Sequence, residues 1–397
     1  MSSHTAQRPR VLMVVESCGG GTGRHVNDLS HGLVERGCEV HLLFSFGRVD
    51  NLFLDRVAAL DGVHAKQLPM RRGIHPSDYA SVLAAKRYMK EHGPFQVVHG
   101  HSSKGGAIAR LAALGTGVPS FYTLHGFGAA DPTMPRAKRL VYQAIEFALA
   151  RVTTRVIAVS PEERRAAVRL GLGRSRVLMV PNGVRPSEAA PRHEARAALG
   201  VADDTTVVGF VGRLVPQKAP HVLVRAMRKV ADKLPGAVLA LVGAGPLDEE
   251  LRRLAAEVGV TDRVLWLGER DGRALMAGFD VFAIPSRSEG LPYVVLEAMA
   301  AGLPVVATDT AGVELLVETG VNGAVVPRED PDAFAAALVE VARDPAARAR
   351  YGRASLRRVA RFTVDEMVER TLAAYVDAIR RNTPAAAAVD GIEVATS

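Results

Sequence analysis

Short apolar runs alternate with stretches of helical periodicity along most of the chain. In the first half, several runs of four to six residues have the length and β-branched content of buried strands. Between them, apolar residues recur three and four positions apart, which predicts amphipathic helices. The predicted strands are 11–15, 40–44, 63–68, 96–100, 121–124, 156–159 and 177–180, and the predicted helices are 26–36, 77–91, 104–114, 136–150 and 161–170. This alternation predicts a doubly wound, parallel α/β sheet.

A second sheet of the same kind is predicted after a polar, charged stretch at 186–204, which we interpret as a linker. Its predicted strands are 207–211, 238–242, 264–267, 281–284, 305–308 and 324–326. A chain of 397 residues is longer than the ~250–300 at which single cores stop growing, so two domains are expected. We expect Rossmann-like domains at 1–185 and 205–363 facing a cleft, a last helix at 364–382, and a disordered, Ala-rich tail at 383–397.

Composition limits the cellular setting. The two cysteines, Cys18 and Cys38, are too few for a disulfide framework, so a reduced, intracellular protein is expected. The apolar run at 11–15 is too short for a secretion signal, and no run reaches the ~20 residues of a membrane span. These features predict a cytoplasmic protein.

The net charge of +8 is divided unevenly. Residues 1–185 carry 25 Lys and Arg against 13 Asp and Glu, whereas residues 186–397 carry 25 against 29. A basic first half suits anionic lipid head groups or a substrate that bears a pyrophosphate, although a generally basic proteome would give the same balance. Nucleic acid also suits the charge, but 5% aromatic residues and no recognised binding motif argue against it.

The most informative segment is SRSEGLPYVVLEAMAAGLPVV at 286–306. Gly290, Leu291 and Pro292 precede a predicted helix, with Glu289 in the loop before it and Glu297 inside it. An open helix N-terminus attracts phosphate, because its N–H groups are unpaired and its dipole is positive there. Carboxylates beside it accept hydrogen bonds from hydroxyl groups. Phosphate and hydroxyls together indicate a sugar nucleotide.

Two glycine-containing turns precede this segment. In FVGRLVPQKAP, Arg213 and Lys218 follow the first strand of the second domain, at the sheet edge where α/β folds bind ligands. Two cations there would stabilise the charge that develops on a diphosphate leaving group. In LVGAGP, Gly243 forms the next strand-to-helix turn, which a purely structural turn would also explain.

The first domain offers three candidate segments at the same sheet edge. Gly20, Gly21 and Gly23 follow the first strand, and such glycines let a ligand approach the backbone closely. His125 lies at a strand end in TLHGFG. The segment HGHSSKGG places Ser102, Ser103 and Lys104 at a predicted helix start, a plausible anion site.

These motifs together resemble the retaining glycosyltransferases of family 4, which have the GT-B fold and include exopolysaccharide- and lipopolysaccharide-type group 1 enzymes. The segment at 286–306 is similar to their E-x7-E signature, and Gly212 to Lys218 is similar to their G-R-x4-K phosphate motif. The resemblance covers roughly residues 10–380 and is strongest from Phe210 to Pro327. It implies a nucleotide-sugar donor, a UDP-sugar above all, and a last helix that crosses back to the first domain.

The resemblance also implies roles for individual residues. Glu297 would hold the nucleotide ribose, Glu289 the hydroxyls of the donor sugar, and Arg213 with Lys218 the diphosphate. His125 would lie against the sugar, Gly20 to Gly23 would face the donor phosphates, and Gly243 would lie near the base. The acceptor would be a glycan or lipid-linked intermediate of cell-surface polysaccharide synthesis, with peripheral contact to the inner face of the plasma membrane.

One loop departs from the family pattern, and this leaves the donor sugar open. The family has Gly-Gly-x-x-Glu before an Asn-Gly turn, whereas this chain has Ala311, Gly312 and Glu314 before Asn322-Gly323. No metal or other cofactor is expected, because no Cys/His cluster has zinc spacing. The Asp-x-Asp at Asp330 and Asp332 is better explained as a helix cap.

Other functions stay open from the sequence. The acceptor could be a soluble natural product or another small molecule. A nucleotide-sugar epimerase or phosphorylase of similar fold would need an acid/base pair or a cofactor lysine, and none stands out. The identity of the sugar, the base, the linkage and the oligomeric state is not encoded in any motif that we recognise.

Overall fold

Two parallel sheets organise the chain, one in each of two structural units. The computed structural model describes residues 9–45, 51–58, 60–71, 73–126, 134–185 and 191–382. The first unit combines residues 1–181 with 364–397, and the second contains 182–363. The tail predicted to be disordered, 383–397, lies outside the described residues.

The first unit contains a seven-stranded parallel sheet in the order β3-β2-β1-β4-β5-β6-β7. The strand order reverses between β1 and β4, the position where doubly wound sheets bind ligands. The strands are β1 Arg10–Val15, β2 Glu39–Phe44, β3 Val63–Gln67, β4 Val97–His101, β5 Ser120–Thr123, β6 Arg155–Ala158 and β7 Val177–Met179. The helices are α1 Gly20–Glu35, α2 Asn51–Ala58, α3 Ser77–His92, α4 Ser102–Ala113, α5 Arg136–Leu149, α6 Pro161–Arg169 and α15 Val364–Asn382.

Helix α15 completes the core of this unit from the far end of the sequence. Val368 and Tyr375 of α15 are fully buried in one cluster with strand β1 and helix α1. Gly32 of α1 allows this contact, because a Cβ there would lie 2.5 Å from Cγ2 of Val368. The first unit is therefore built from residues that precede the second unit in the sequence and residues that follow it.

The second unit contains a six-stranded parallel sheet in the order β10-β9-β8-β11-β12-β13. Its strands are β8 Val207–Val211, β9 Val238–Val242, β10 Val264–Gly268, β11 Val281–Ile284, β12 Val305–Thr308 and β13 Gly323–Val326. Its helices are α7 Arg192–Leu199, α8 Pro220–Lys233, α9 Asp248–Glu257, α10 Gly272–Met276, α11 Tyr293–Ala300, α12 Val313–Leu316, α13 Pro331–Ala342 and α14 Pro345–Val359. Its main core cluster joins strand residues with α8, α9 and α13. The order reverses between β8 and β11, which places its candidate ligand edge there. Two parallel α/β sheets confirm the predicted fold class.

Three local predictions differ from the structure. Helix α1 begins at Gly20, so the predicted glycine loop is its first turn, and helix α2 was not predicted. The predicted linker contains helix α7, which groups with the second unit. Arg192 of α7 binds Asp280 at 2.7 Å, and Arg196 donates to the Gly278 carbonyl at 3.0 Å. The charges that suggested an exposed linker are thus engaged in packing, which sequence polarity alone does not show.

Candidate active site

Glu289 is held by a lysine and a serine in the second unit. Lys218 Nζ donates to Glu289 Oε1 at 2.6 Å, and the Ser286 hydroxyl donates to the same oxygen at 2.5 Å. The Glu289 side chain is only 9% exposed and that of Lys218 is 19% exposed. The sequence predicted both side chains for the site, and the structure brings them together as a charge pair.

The loop before helix α11 is fixed by contacts to its backbone. Asn182 Nδ2 donates to the Leu291 carbonyl at 2.8 Å. Gly312 lies against the loop so closely that a Cβ there would be 2.3 Å from the Gly290 oxygen. Pro292 is the N-cap of α11 and supplies no side-chain hydrogen bond to the first turn. The helix therefore begins without a side-chain cap, as the predicted phosphate site requires.

Glu297 lies inside α11 and is 13% exposed. Arg273, near the start of helix α10, approaches its Oε1 with Nε at 3.6 Å. Sequence reasoning missed Arg273, although it follows β10 at the same carboxyl edge and two residues after Asp271, whose side chain caps α10. This arginine gives the predicted ribose-binding carboxylate a charged neighbour.

The turns after β8 and β9 pack against each other through their backbones. A Cβ on Gly243 would lie 2.0 Å from the Gly212 oxygen, and one on Gly245 would lie 2.3 Å from the Leu214 oxygen. Arg213 follows Gly212 directly and is exposed. Glycine is therefore required at Gly243 and Gly245, because the two turns meet there. Arg213 and Lys218 both lie on the connection between β8 and α8.

The glycines of the first unit have a structural reason of their own. Gly20 has φ +62° at the start of α1, and a Cβ on Gly23 would lie 1.8 Å from the Cys18 oxygen. Gly21 lies between them in the same first turn. A helix turn that packs directly on the preceding backbone explains why glycine is needed at Gly23. In the neighbouring HSSK segment, Lys104 forms an ion pair with Asp78.

Three histidines meet at the carboxyl edge of the first sheet. His101 Nδ1 lies 3.1 Å from His125 Nε2, and the His25 ring centroid lies 4.4 Å from that of His125. Burial lowers the pKa of His101 and of His125 well below the usual value, and neighbouring histidines lower both further. The predicted sugar-facing residue His125 is therefore a neutral imidazole, suited to hydrogen bonding with hydroxyl groups.

Glu163 positions the turn that carries His125 and was not predicted from the sequence. Its Oε1 accepts from the Gly126 N–H at 2.6 Å, and its Oε2 accepts from the Val159 N–H at 2.9 Å. His125 and Gly126 have φ of +53° and +84°, a conformation that a histidine adopts only when its surroundings hold it. The S-x-x-E cap formed with Ser160 at the start of α6 was the available signal.

Replacing Glu163 with glutamine should remove a pH dependence of stability. Burial raises the pKa of Glu163 from 4.5 to about 7. The pKa of Glu163 is higher in the folded than in the unfolded state. The free energy of unfolding is therefore largest below pH 4.5 and decreases as the pH rises to about 7. The loss amounts to about 3 kcal/mol. Urea unfolding at pH 5 and pH 8 should show a smaller difference in Glu163→Gln than in the unchanged protein.

The control for this prediction is Glu162→Gln, which changes an exposed neighbour on the same helix turn. It should keep most of the pH dependence of the unchanged protein, because the charge of Glu162 is the smallest of the contributions to the pKa of Glu163 and burial is the largest. An equal pH 5 to pH 8 difference in all three proteins would contradict the role given to Glu163.

The remaining predicted features also have defined places. Asp330 caps helix α13 by accepting from the Asp332 and Ala333 N–H groups at 3.1 and 2.9 Å, which is the capping role predicted for it. In the loop that departs from the family pattern, Gly312 has φ +77° and Glu314 lies in the first turn of α12. Ala311 lies in the turn before α12.

Comparison with known proteins identifies the family. A family model described as Glycosyltransferase Family 4 matches residues 19–188, and one described as Glycosyl transferases group 1 matches residues 205–344. The chain therefore belongs to the family 4, group 1 glycosyltransferases, and its two parallel sheets form a GT-B fold.

Individual relatives extend over most of the chain. A UDP-Gal:alpha-D-GlcNAc-diphosphoundecaprenol alpha-1,3-galactosyltransferase of Escherichia coli is 30% identical over 76% of this chain and 80% of its own length. A D-inositol 3-phosphate glycosyltransferase of Acidothermus cellulolyticus is 30% identical over 94% and 89%. The crystal structure of HepE from Anabaena in complex with UDP and glucose has a TM-score of 0.80 at 22% identity, over 93% of this chain and 100% of that one. The predicted family and the glycosyltransferase class are thus confirmed.

Proposed function

We propose that this glycosyltransferase moves a hexose or N-acetylhexosamine from a UDP-sugar to a lipid-linked glycan acceptor, with retention of configuration and without a metal ion. The observation that carries the donor site is the pair of Lys218 and Glu289 beside the uncapped start of α11. A cation, a carboxylate and a helix N-terminus without a side-chain cap match a diphosphate, sugar hydroxyls and a phosphate oxygen. The UDP complex of a structural neighbour supports this choice of base.

The donor would be held by residues of the second unit. Glu297, with Arg273 beside it, would accept hydrogen bonds from the ribose hydroxyls. Lys218 and Arg213 would compensate the charge that builds on the diphosphate as the glycosidic bond breaks. This preorganised positive charge performs the task that a bound divalent cation performs in other transferases, which supports the metal-independent proposal.

Retention would follow from attack on the same face as the leaving group. Glu289 is engaged by Lys218 and Ser286, an arrangement that suits orientation of a sugar hydroxyl better than formation of a covalent bond. The departing phosphate oxygen would take the proton of the acceptor hydroxyl. In the first unit, the neutral imidazole of His125 is suited to binding a hydroxyl group, with Glu163 holding its turn.

Removing the Glu297 carboxylate should abolish stabilisation by UDP. At about 100 times its dissociation constant, a ligand adds about 2.7 kcal/mol, which raises the midpoint of unfolding by a few degrees. Thermal-shift measurements with UDP, GDP and ADP should give this rise with UDP alone, and Glu297→Ala should lose it. Glu249→Ala, which changes an exposed residue in the first turn of α9, serves as the matched control. No rise with any nucleotide would contradict the donor site as we place it.

The lipid-linked acceptor is supported by an exposed apolar face on helix α5. Leu140, Val141 and Phe147 are 57%, 50% and 50% exposed. Leu140 and Phe147 lie two turns apart on the same side of the helix, and Val141 lies about 100° around the axis from Leu140. Arg136 and Lys138 are exposed at the start of the same helix. Apolar side chains flanked by cations suit an anionic bilayer surface. Among the described helices, none is long and apolar enough to cross a membrane.

The chain should bind anionic vesicles through this face of α5. We expect co-sedimentation with vesicles of phosphatidylglycerol and phosphatidylcholine at low salt, and weaker binding in high salt because the charges are screened. Leu140→Asp combined with Phe147→Asp should lose the binding. Leu356→Asp, at a 46% exposed leucine of α14, should keep it. Binding that is unchanged in the α5 variant would contradict the assignment of this face.

A soluble phosphorylated polyol is the second candidate acceptor, and one observation favours it. Several relatives carry the name D-inositol 3-phosphate glycosyltransferase, one of them 36% identical over 73% of this chain. UDP release from a UDP-sugar, measured with inositol phosphate and with a polyprenyl-diphosphate sugar in separate reactions, distinguishes the two acceptors. Turnover with inositol phosphate alone would overturn the lipid-linked proposal while leaving the transferase intact.

A further inference from the structure

A carboxylate and two histidines converge at the amino-terminal ends of strands β2 and β3, away from the edge that carries the candidate active site. His41 and His64 are paired in register on neighbouring parallel strands, and their ring centroids lie 4.7 Å apart. Glu39 precedes His41 by two positions, so its side chain lies on the same face of the sheet. Glu39 Oε1 lies 2.9 Å from His41 Nε2 and 3.7 Å from His64 Nε2.

These three groups have the chemistry and the spacing of a metal site. One ligand atom from each residue lies within 4.8 Å of the other two. Zinc binds imidazole nitrogen and carboxylate oxygen at about 2.0–2.2 Å, which separates ligand atoms in a tetrahedron by about 3.4 Å. Glu39 Oε1 lies 2.9 and 3.7 Å from the two histidine nitrogens, so small side-chain rotations would bring these atoms to the separation that zinc needs. His64 is 58% exposed and can make such a rotation.

A tyrosine fixes the most buried of the three ligands. The Tyr88 hydroxyl lies 2.8 Å from His41 Nδ1, so Nδ1 has a partner and Nε2 faces Glu39. A hydrogen bond of this kind to the far nitrogen orients a ligating histidine.

Arg10 opposes a cation at this position. Its Nη2 lies 2.8 Å from the same Glu39 oxygen. A bound metal ion would have to share the Glu39 carboxylate with this guanidinium or displace the guanidinium. The positive charge of Arg10 therefore lowers the affinity of the site for a metal ion. Water or His92, whose ring lies 6.0 Å from that of His41, is available for a fourth coordination position.

We propose that Glu39, His41 and His64 form a binding site for a divalent transition-metal ion of the zinc class. The site is independent of donor and acceptor binding, since it uses the opposite ends of the strands. It would link β2 to the edge strand β3 and so stabilise that edge of the first sheet.

Zinc titration of the metal-free, untagged full-length chain against a chromogenic chelator tests the proposal. We expect one zinc ion per chain at this site, with affinity reduced at least tenfold in His64→Ala. Arg10→Gln should bind several-fold more tightly, because it removes the opposing charge. His193→Ala, which changes an exposed histidine of α7, should leave the affinity unchanged.

The cluster of His25, His101 and His125 is the rival site in the described part of the chain. His125→Ala should leave the affinity of the Glu39 site unchanged. Zinc binding that is lost in His125→Ala and kept in His64→Ala would overturn the proposal, as would the absence of zinc binding to the unchanged protein. Far-UV circular dichroism of each metal-free variant shows that its fold is intact before titration.

Discussion

Replacing Lys218 with methionine should lower the rate of sugar transfer by about 10²- to 10³-fold, the usual effect of removing one preorganised stabilising group from a transition state. Lys218 is the cation bound to Glu289 at 2.6 Å. Its loss removes positive charge where the diphosphate would leave and frees the carboxylate that orients the sugar. The measurement is UDP release from the UDP-sugar that gives the largest thermal shift, with the acceptor that supports turnover.

Two variants separate this effect from a general loss of structure. Lys229→Met removes a 59% exposed lysine from α8 of the same unit and should retain full activity. Lys218→Met combined with Glu289→Gln leaves no unpaired carboxylate, so its thermal stability should return toward that of the unchanged protein while its activity stays low. A rate within threefold of normal in Lys218→Met would exclude the lysine from the reaction.

Replacing Arg110 with methionine should cost about 3–5 kcal/mol of stability, because it leaves a buried carboxylate without its partner. The Arg110 side chain is 0% exposed and that of Glu146 is 5% exposed. The two terminal nitrogens of Arg110 donate to the two Glu146 oxygens at 2.9 and 3.2 Å. The Arg110 guanidinium lies 4.1 Å from the Tyr122 ring centroid. Urea unfolding followed by circular dichroism measures the loss.

The double variant Arg110→Met with Glu146→Leu should recover most of that stability, since it removes the charge along with its partner. Arg252→Met is the surface comparison, because the pair of Arg252 and Asp248 is 51% and 36% exposed. Its cost should stay below about 1 kcal/mol. If Arg110→Met cost no more than Arg252→Met, the buried pair would not hold α5 against α4 as its geometry indicates.

The strands and most helices could be predicted because they follow from local pattern. Short apolar runs placed the strands within two residues of their observed ends, since most of these parallel strands are buried and apolar on both faces. The exception is β3, where four of the five residues are exposed. Helix α7 could not be predicted in the same way. Its arginines read as exposed until the structure pairs Arg192 and Arg196 with groups more than 80 residues away.

The residues of the candidate site likewise fall into those that local pattern predicts and those that it does not. Motif spacing predicted which residues follow each strand, and thus named Arg213, Lys218, Glu289 and Glu297 as neighbours of one sheet edge. It could not predict the contacts of Arg273 or Glu163, because these contacts join separate elements, although the S-x-x-E pattern marks Glu163 as part of a helix start. The Glu163 carboxylate reaches the Gly126 N–H across 37 positions of sequence, and no local pattern encodes that approach.

The contact between α15 and α1 sets an order of events during synthesis. Residues 182–363 form a continuous stretch that can fold as soon as it has left the ribosome. The first unit has by then been outside for longer, yet the faces of β1 and α1 that cover Val368 and Tyr375 still lack their partner. The half of the protein made first is therefore the half finished last, and its apolar surface stays open to aggregation until α15 has been synthesised.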